Sequence, residues 1–134
     1  MKTSEILECI SRVLFPFILL YGFYIIINGH LTPGGGFQGG AILATAVLIS
    51  YFIYPDKIRD LNLLIKLEKY VFIIILLFAS ASLLTKGEIF TSFLPIDTNV
   101  NLKSVFLVNL NLFIGIKVSI GLILVFSTFI EEGK

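Results

Sequence analysis

The chain has 134 residues, of which 57% are hydrophobic and 14% charged, and its mean hydropathy is +0.99. A soluble domain of this size needs roughly a quarter of its residues charged to cover its surface, so a soluble enzyme, a nucleic-acid binder and a disordered tail are excluded in favour of an integral membrane protein. Ten Lys and Arg against nine Asp and Glu leave a formal charge of +1, with no basic face for a phosphate backbone.

From Val13 to Pro55 no Asp, Glu, Lys or Arg occurs. One helix of that length would run roughly 65 Å, about twice the hydrocarbon thickness, so the segment must cross twice. The break falls at Asn28 to Gly36, where Pro33 lacks a backbone donor and consecutive glycines disfavour helix. Helix one is expected over about 13–28 and helix two over about 36–54. Turn chemistry and mixed charge at Pro55 to Asp60 end the second span. A third helix is expected over about 67–84. A loop punctuated by Lys86, Gly87, Glu88, Pro95, Asp97 and Asn99 leads into a fourth, over about 104–130. The fold class is therefore all-α: four transmembrane helices in a single domain, 1–134, with a Gly-rich connection between helices one and two.

Lys2, Arg12, Lys57, Arg59, Lys66, Lys69 and Lys134 fall on one side and only Lys86 and Lys103 on the other. The bias of basic residues toward the cytoplasm predicts that both termini face it. A cleaved signal peptide is not expected, because no small-x-small site ends the first span. Cys9 is the single cysteine and has no partner in sequence for a disulfide, zinc or redox site.

Residues 33–40 hold five glycines, Gly34, Gly35, Gly36, Gly39 and Gly40. Exposed amides lining an ion path compete with a simpler explanation, in which Gly36, Gly40 and Ala44 form a small-residue stripe for close helix approach. Packing is the preferred reading, and the stripe is expected to meet a neighbouring subunit. A phosphate-binding loop is excluded, since the Lys-Ser/Thr ending is absent. His30, the only histidine, stands in the turn as a candidate proton relay or an ordinary interfacial side chain. Gln38 is placed for a hydrogen bond across helices.

Lys117 is the strongest single signal, lying near the centre of an otherwise uncharged span. An ammonium at mid-membrane costs at least about 2.5 kcal/mol. No carboxylate of the chain is expected at its depth, so its partner is placed on another polypeptide or in a hydrated cavity. Gly121 shares its helix face, whereas Gly115 and Ser119 lie opposite, which gives helix four two contact faces. No nucleophile with its base, carboxylate pair or metal-ligand cluster appears, so no catalytic residue, cofactor or metal is expected.

The stretch from Gly29 to Ala41, GHLTPGGGFQGGA, resembles the signature of the MnhB/MrpB family, the B subunits of Mrp-type Na+/H+ antiporters. The resemblance covers essentially the whole chain and implies an accessory, non-catalytic subunit of a hetero-oligomeric complex in the cell membrane. Its implied partners are the other Mrp-type antiporter subunits. Homologous subunits also occur in membrane-bound hydrogenase and sulfur reductase complexes related to respiratory complex I, so hydrogenase-like redox partners remain open. A membrane scaffold without an ion path is the alternative of another class.

Overall fold

The computed structural model describes residues 4–31, 34–54, 61–86 and 100–133, with backbone alone at 85, 86 and 100–103. Thr32 and Pro33 of the glycine-rich signature, the expected turn at 55–60 and the expected loop at 87–99 lie outside the described residues. The described residues form four helices: α1 (Glu5–Ile27), α2 (Gly35–Ile53), α3 (Leu61–Lys86) and α4 (Val100–Glu132). Each is long and apolar enough to cross a membrane, and the described residues contain no strand. The chain is a multi-pass membrane protein.

Helices α1 and α3 begin earlier than their uncharged runs do. Ser4 caps α1 by accepting a hydrogen bond at its side chain from the Leu7 amide, 3.2 Å away, and Glu5 and Glu8 in the first turn complement the positive end of the helix dipole. The helix therefore starts eight residues before Val13. α3 likewise starts at Leu61 rather than near Leu67, because Lys66, Glu68 and Lys69 are good helix formers that extend the helical run instead of bounding it. At the start of α2 the backbone turns through φ of 109° at Gly34 and 42° at Gly35, conformations that a side chain makes costly.

The core is built on α2, which packs against both α1 and α4. α1 runs antiparallel to it, with Gly22 against Leu43 and Gly39. α4 runs parallel to it: Gly36 meets Asn111 and Gly115, and one turn on Gly40 meets Gly115 and Val118. Ile26 is fully buried in the slot that Gly39 and Gly115 leave open, so one aliphatic side chain locks three helices. Among the described residues α3 packs on α4 alone. Phe78 of α3 holds that seam, its ring centroid 5.8 Å from those of Phe106 and Phe113. These contacts place the start of α1, the end of α2, the start of α3 and the end of α4 on one side.

The Gly36/Gly40/Ala44 stripe thus serves a contact inside the chain, which corrects the expectation that it meets a neighbouring subunit. Small residues mark a close approach without saying whose helix comes close. A methyl group on Gly40 would lie 2.5 Å from the Gly115 carbonyl oxygen, whereas one on Gly121 would meet nothing within 4 Å. Gly40→Ala should therefore destabilise the fold by about 1–3 kcal/mol, as overpacking does. Gly121→Ala should stay within about 0.5 kcal/mol of wild type. Thermal unfolding of the purified protein in one detergent checks both.

Candidate functional site

The site lies on the α3–α4 seam. Lys117 Nζ stands 2.7 Å from Glu68 Oε1 and 5.0 Å from the centroid of the Phe72 ring. Glu68 and Phe72 are one turn apart on α3 and share a face, so the ammonium is held by a carboxylate and a π cloud together. The pairing follows from antiparallel geometry. Phe78 meets Phe106 and Phe113, so Glu68, 10 residues earlier on α3, falls level with residues a few turns further along α4, where Lys117 stands.

This overturns the expectation that Lys117 finds its counter-charge on another polypeptide. Glu68 reads as superficial when the third span is started at its first uninterrupted apolar run. With α3 beginning at Leu61, Glu68 is carried about 10 Å along the helix. The pair is not sealed, for the side chains keep 32% and 28% of their exposure.

The other candidates differ in burial. Gly35, Gly36, Gly39, Gly40, Ala44, Gly115 and Ser119 are buried and belong to the helix core. Gly34 is exposed at the cap of α2, and Gln38 is exposed on its outer surface, where no other helix among the described residues receives its amide. Gly121 lies one turn from Lys117, and a methyl group there would touch nothing in the chain. Gly115 and Ser119 face the core while Lys117 faces α3, so α4 does have two contact faces.

His30 is half-buried in the turn after α1. Its Nδ1 lies 3.1 Å from the Ile27 carbonyl oxygen, which can only accept, so the proton sits on Nδ1 in the neutral ring. Its Nε2 then accepts from the Ser104 hydroxyl at 3.0 Å. The histidine thus fastens the α1–α2 turn to α4. Ser104 carries no sequence signal, for a serine at a span's edge is unremarkable. Among the described residues no group of three His, Cys, Asp or Glu side chains is placed to hold a metal.

A bundle of four apolar spans, closed by glycine contacts and carrying one ammonium–carboxylate pair along its length, defines a polytopic membrane protein. The family described as a domain related to the MnhB subunit of Na+/H+ antiporters matches residues 6–124, and the chain belongs to that family. The chain is similar to the B subunit of the Na+/H+ antiporter of Bacillus subtilis (strain 168), at 37% identity over 57 residues covering 42% of this chain and 40% of the relative. A protein of Staphylococcus saprophyticus named as antiporter subunit mnhB2 is 33% identical over 58 residues, 42% of this chain and 41% of the relative. Its counterpart in Staphylococcus aureus (strain Newman) aligns at 25% identity over 144 positions, 100% of this chain and 99% of the relative. The match therefore spans about two fifths of the first two relatives and nearly all of the third. No solved structure matches the chain.

Removing one partner of the pair leaves the other charge without compensation, whereas removing both does not. Lys117→Met and Glu68→Gln should each destabilise the fold, and the double variant should be less damaged than the two losses added. A coupling energy of about 1–3 kcal/mol is expected, discounted for partial exposure. Reversible unfolding in mixed micelles, run as a double-mutant cycle, measures it.

Proposed function

We propose that this chain is an accessory, non-catalytic membrane subunit of a multi-subunit Na+/H+ antiporter in the cell membrane, folding as one domain over 1–134 with both ends on the cytoplasmic side. The observation that carries the reading is the family match over residues 6–124, together with relatives whose names are those of antiporter subunits. The basic residues of the sequence favour the orientation. Partners are then the other subunits of the antiporter.

The ion pair gives the proposed role a location. Lipid cannot solvate the uncovered third of Lys117 and Glu68, so that face meets either another subunit or a water-filled ion route. Lys117 is assigned to the boundary of such a route, with His30 at one membrane surface as a secondary candidate.

The test uses vesicles containing the complete complex. Lys117→Met should lower sodium-dependent proton exchange about tenfold, the rate equivalent of ~1.4 kcal/mol, while Lys117→Arg retains most of it. Normal flux from a fully assembled Lys117→Met complex would remove the residue from the route. Purification of the tagged chain should bring down antiporter subunits, and iron–sulfur or nickel proteins in their place would overturn the antiporter reading.

A further inference from the structure

On the side where α1 starts and α2 ends, the two helices leave a cavity of about 640 Å³ between them, a size typical of ligand sites. Its rim is polar. Arg12 Nη2 donates to Glu8 Oε1 at 3.0 Å and to the Tyr54 hydroxyl at 2.9 Å, and the Tyr54 hydroxyl donates to the same carboxylate oxygen. Its apolar lining comes from Ile53, next to Tyr54 at the rim, and from Phe15, one turn deeper than Ser11 and Arg12 along α1, with Ser11 and Ser50 lining the cavity as well. Glu8 is in the first turn of α1 and Tyr54 caps α2, so the rim stands at the depth of lipid headgroups and the wall points toward acyl chains.

The triad leaves binding capacity unused. Both of these Arg12 bonds run through Nη2, so its remaining N–H groups have no acceptor among the described residues. Glu8 Oε2 has no donor among them either. Pro16 lies within α1 and cannot give the Arg12 carbonyl its helical hydrogen bond, which adds an acceptor next to the same site. The side chains keep 74% and 36% of their exposure at Arg12 and Glu8. One free donor group and one free acceptor group, of opposite charge and a few ångströms apart, match a ligand that is itself a dipole with no net charge.

We propose that this cavity binds a zwitterionic phospholipid bearing a primary amine, of the phosphatidylethanolamine type. The phosphate sits on Arg12, the ammonium on Glu8, and the glycerol and first acyl carbons lie along Phe15 and Ile53. A bidentate guanidinium–phosphate contact supplies most of the hold. Glu8 supplies the headgroup selectivity, because an ammonium donates hydrogen bonds and a trimethylated choline does not. An apolar helix from a neighbouring subunit would fill the volume but leave the spare donors and acceptor unpaired. The inference does not rest on the antiporter reading.

The test measures lipid retention, not transport. The intact complex is purified in mild detergent, placed in nanodiscs, and titrated with phosphatidylethanolamine, its N-methylated derivatives, phosphatidylcholine and phosphatidylglycerol of one acyl composition. Bound lipid is read by native mass spectrometry. Wild type should prefer the primary amine over choline by at least about tenfold, the lower end of what one charge-assisted hydrogen bond discriminates. Preference should fall stepwise with methylation. Glu8→Gln should abolish the preference while keeping a bound phospholipid, and Arg12→Gln should lose both lipids. Equal affinity of wild type for amine and choline lipids would overturn the proposal without recourse to a variant. Preference for phosphatidylglycerol, or a cross-link from Ser50→Cys to another subunit through the cavity, would do so as well.

Discussion

The contact on which the rest of the molecule depends is the close approach of α2 to α4 at Gly36, Gly40 and Gly115. In lipid there is no water to expel between helices, so attraction must come from atoms in van der Waals contact, and glycine brings the most backbone into range. This contact also fixes the rotation of α4 about its axis. With Gly115 and Ser119 turned to the core, a residue between them at position 117 points about 200° away from Gly115. Lys117 is therefore sent to the face where α3 lies. The glycines and the lysine are two readings of one helical phase, and a side chain at Gly115 would displace Ile26 and disturb both.

The second constraint is that polar groups at membrane depth are satisfied within the chain where lipid would otherwise meet them; among the described buried side chains only the Ser127 hydroxyl lacks a hydrogen-bond partner. Thr45 and Thr128 each return their hydroxyl to the carbonyl four residues back, and Ser80 to the carbonyl three back, so they present no unpaired polarity to lipid. Among the described residues, longer-range polar contacts fall at three levels. Glu8, Arg12 and Tyr54 tie α1 to α2 at one surface, His30 and Ser104 tie the α1–α2 turn to α4 near the other, and Lys117 with Glu68 joins α3 to α4 between them. Each joins different elements, so the polar contacts brace a packing that apolar side chains alone would leave free to slide.

How much of this the sequence discloses depends on what kind of signal each residue carries. The spans are legible because the absence of charge over forty residues admits few alternatives. The glycine stripe is legible as a packing surface, but not in its partner, since spacing encodes a face and not what meets that face. Lys117 is conspicuous because a charge in an apolar run is rare. Glu68 is not, because it stands among Lys66 and Lys69 and reads as the edge of a span. The same habit of ending a helix at its last charge hides the Glu8–Arg12–Tyr54 cluster, whose outer members lie 46 positions apart in sequence. Ile26 gives no sign at all, since one isoleucine in an aliphatic helix looks like any other until glycines on two neighbours open a slot for it.

The internal closure of the charge pair changes what the proposed complex would have to supply. An unpaired ammonium would require a carboxylate from a neighbour, and assembly would then be a matter of neutralising charge. A lysine already held by Glu68 and Phe72 requires only a polar cover of no net charge, such as a hydroxyl, an amide, a carbonyl or ordered water. The demand falls on α3, which packs on α4 alone among the described residues and presents Leu63, Tyr70, Ile73 and Leu77 outward. An α3 lightly held on its other sides, with a half-covered ion pair at its seam, is the part of the bundle whose position another subunit can most readily set. The pair is a bond within the chain whose open side, about a third of each side chain, is left for whatever surrounds it.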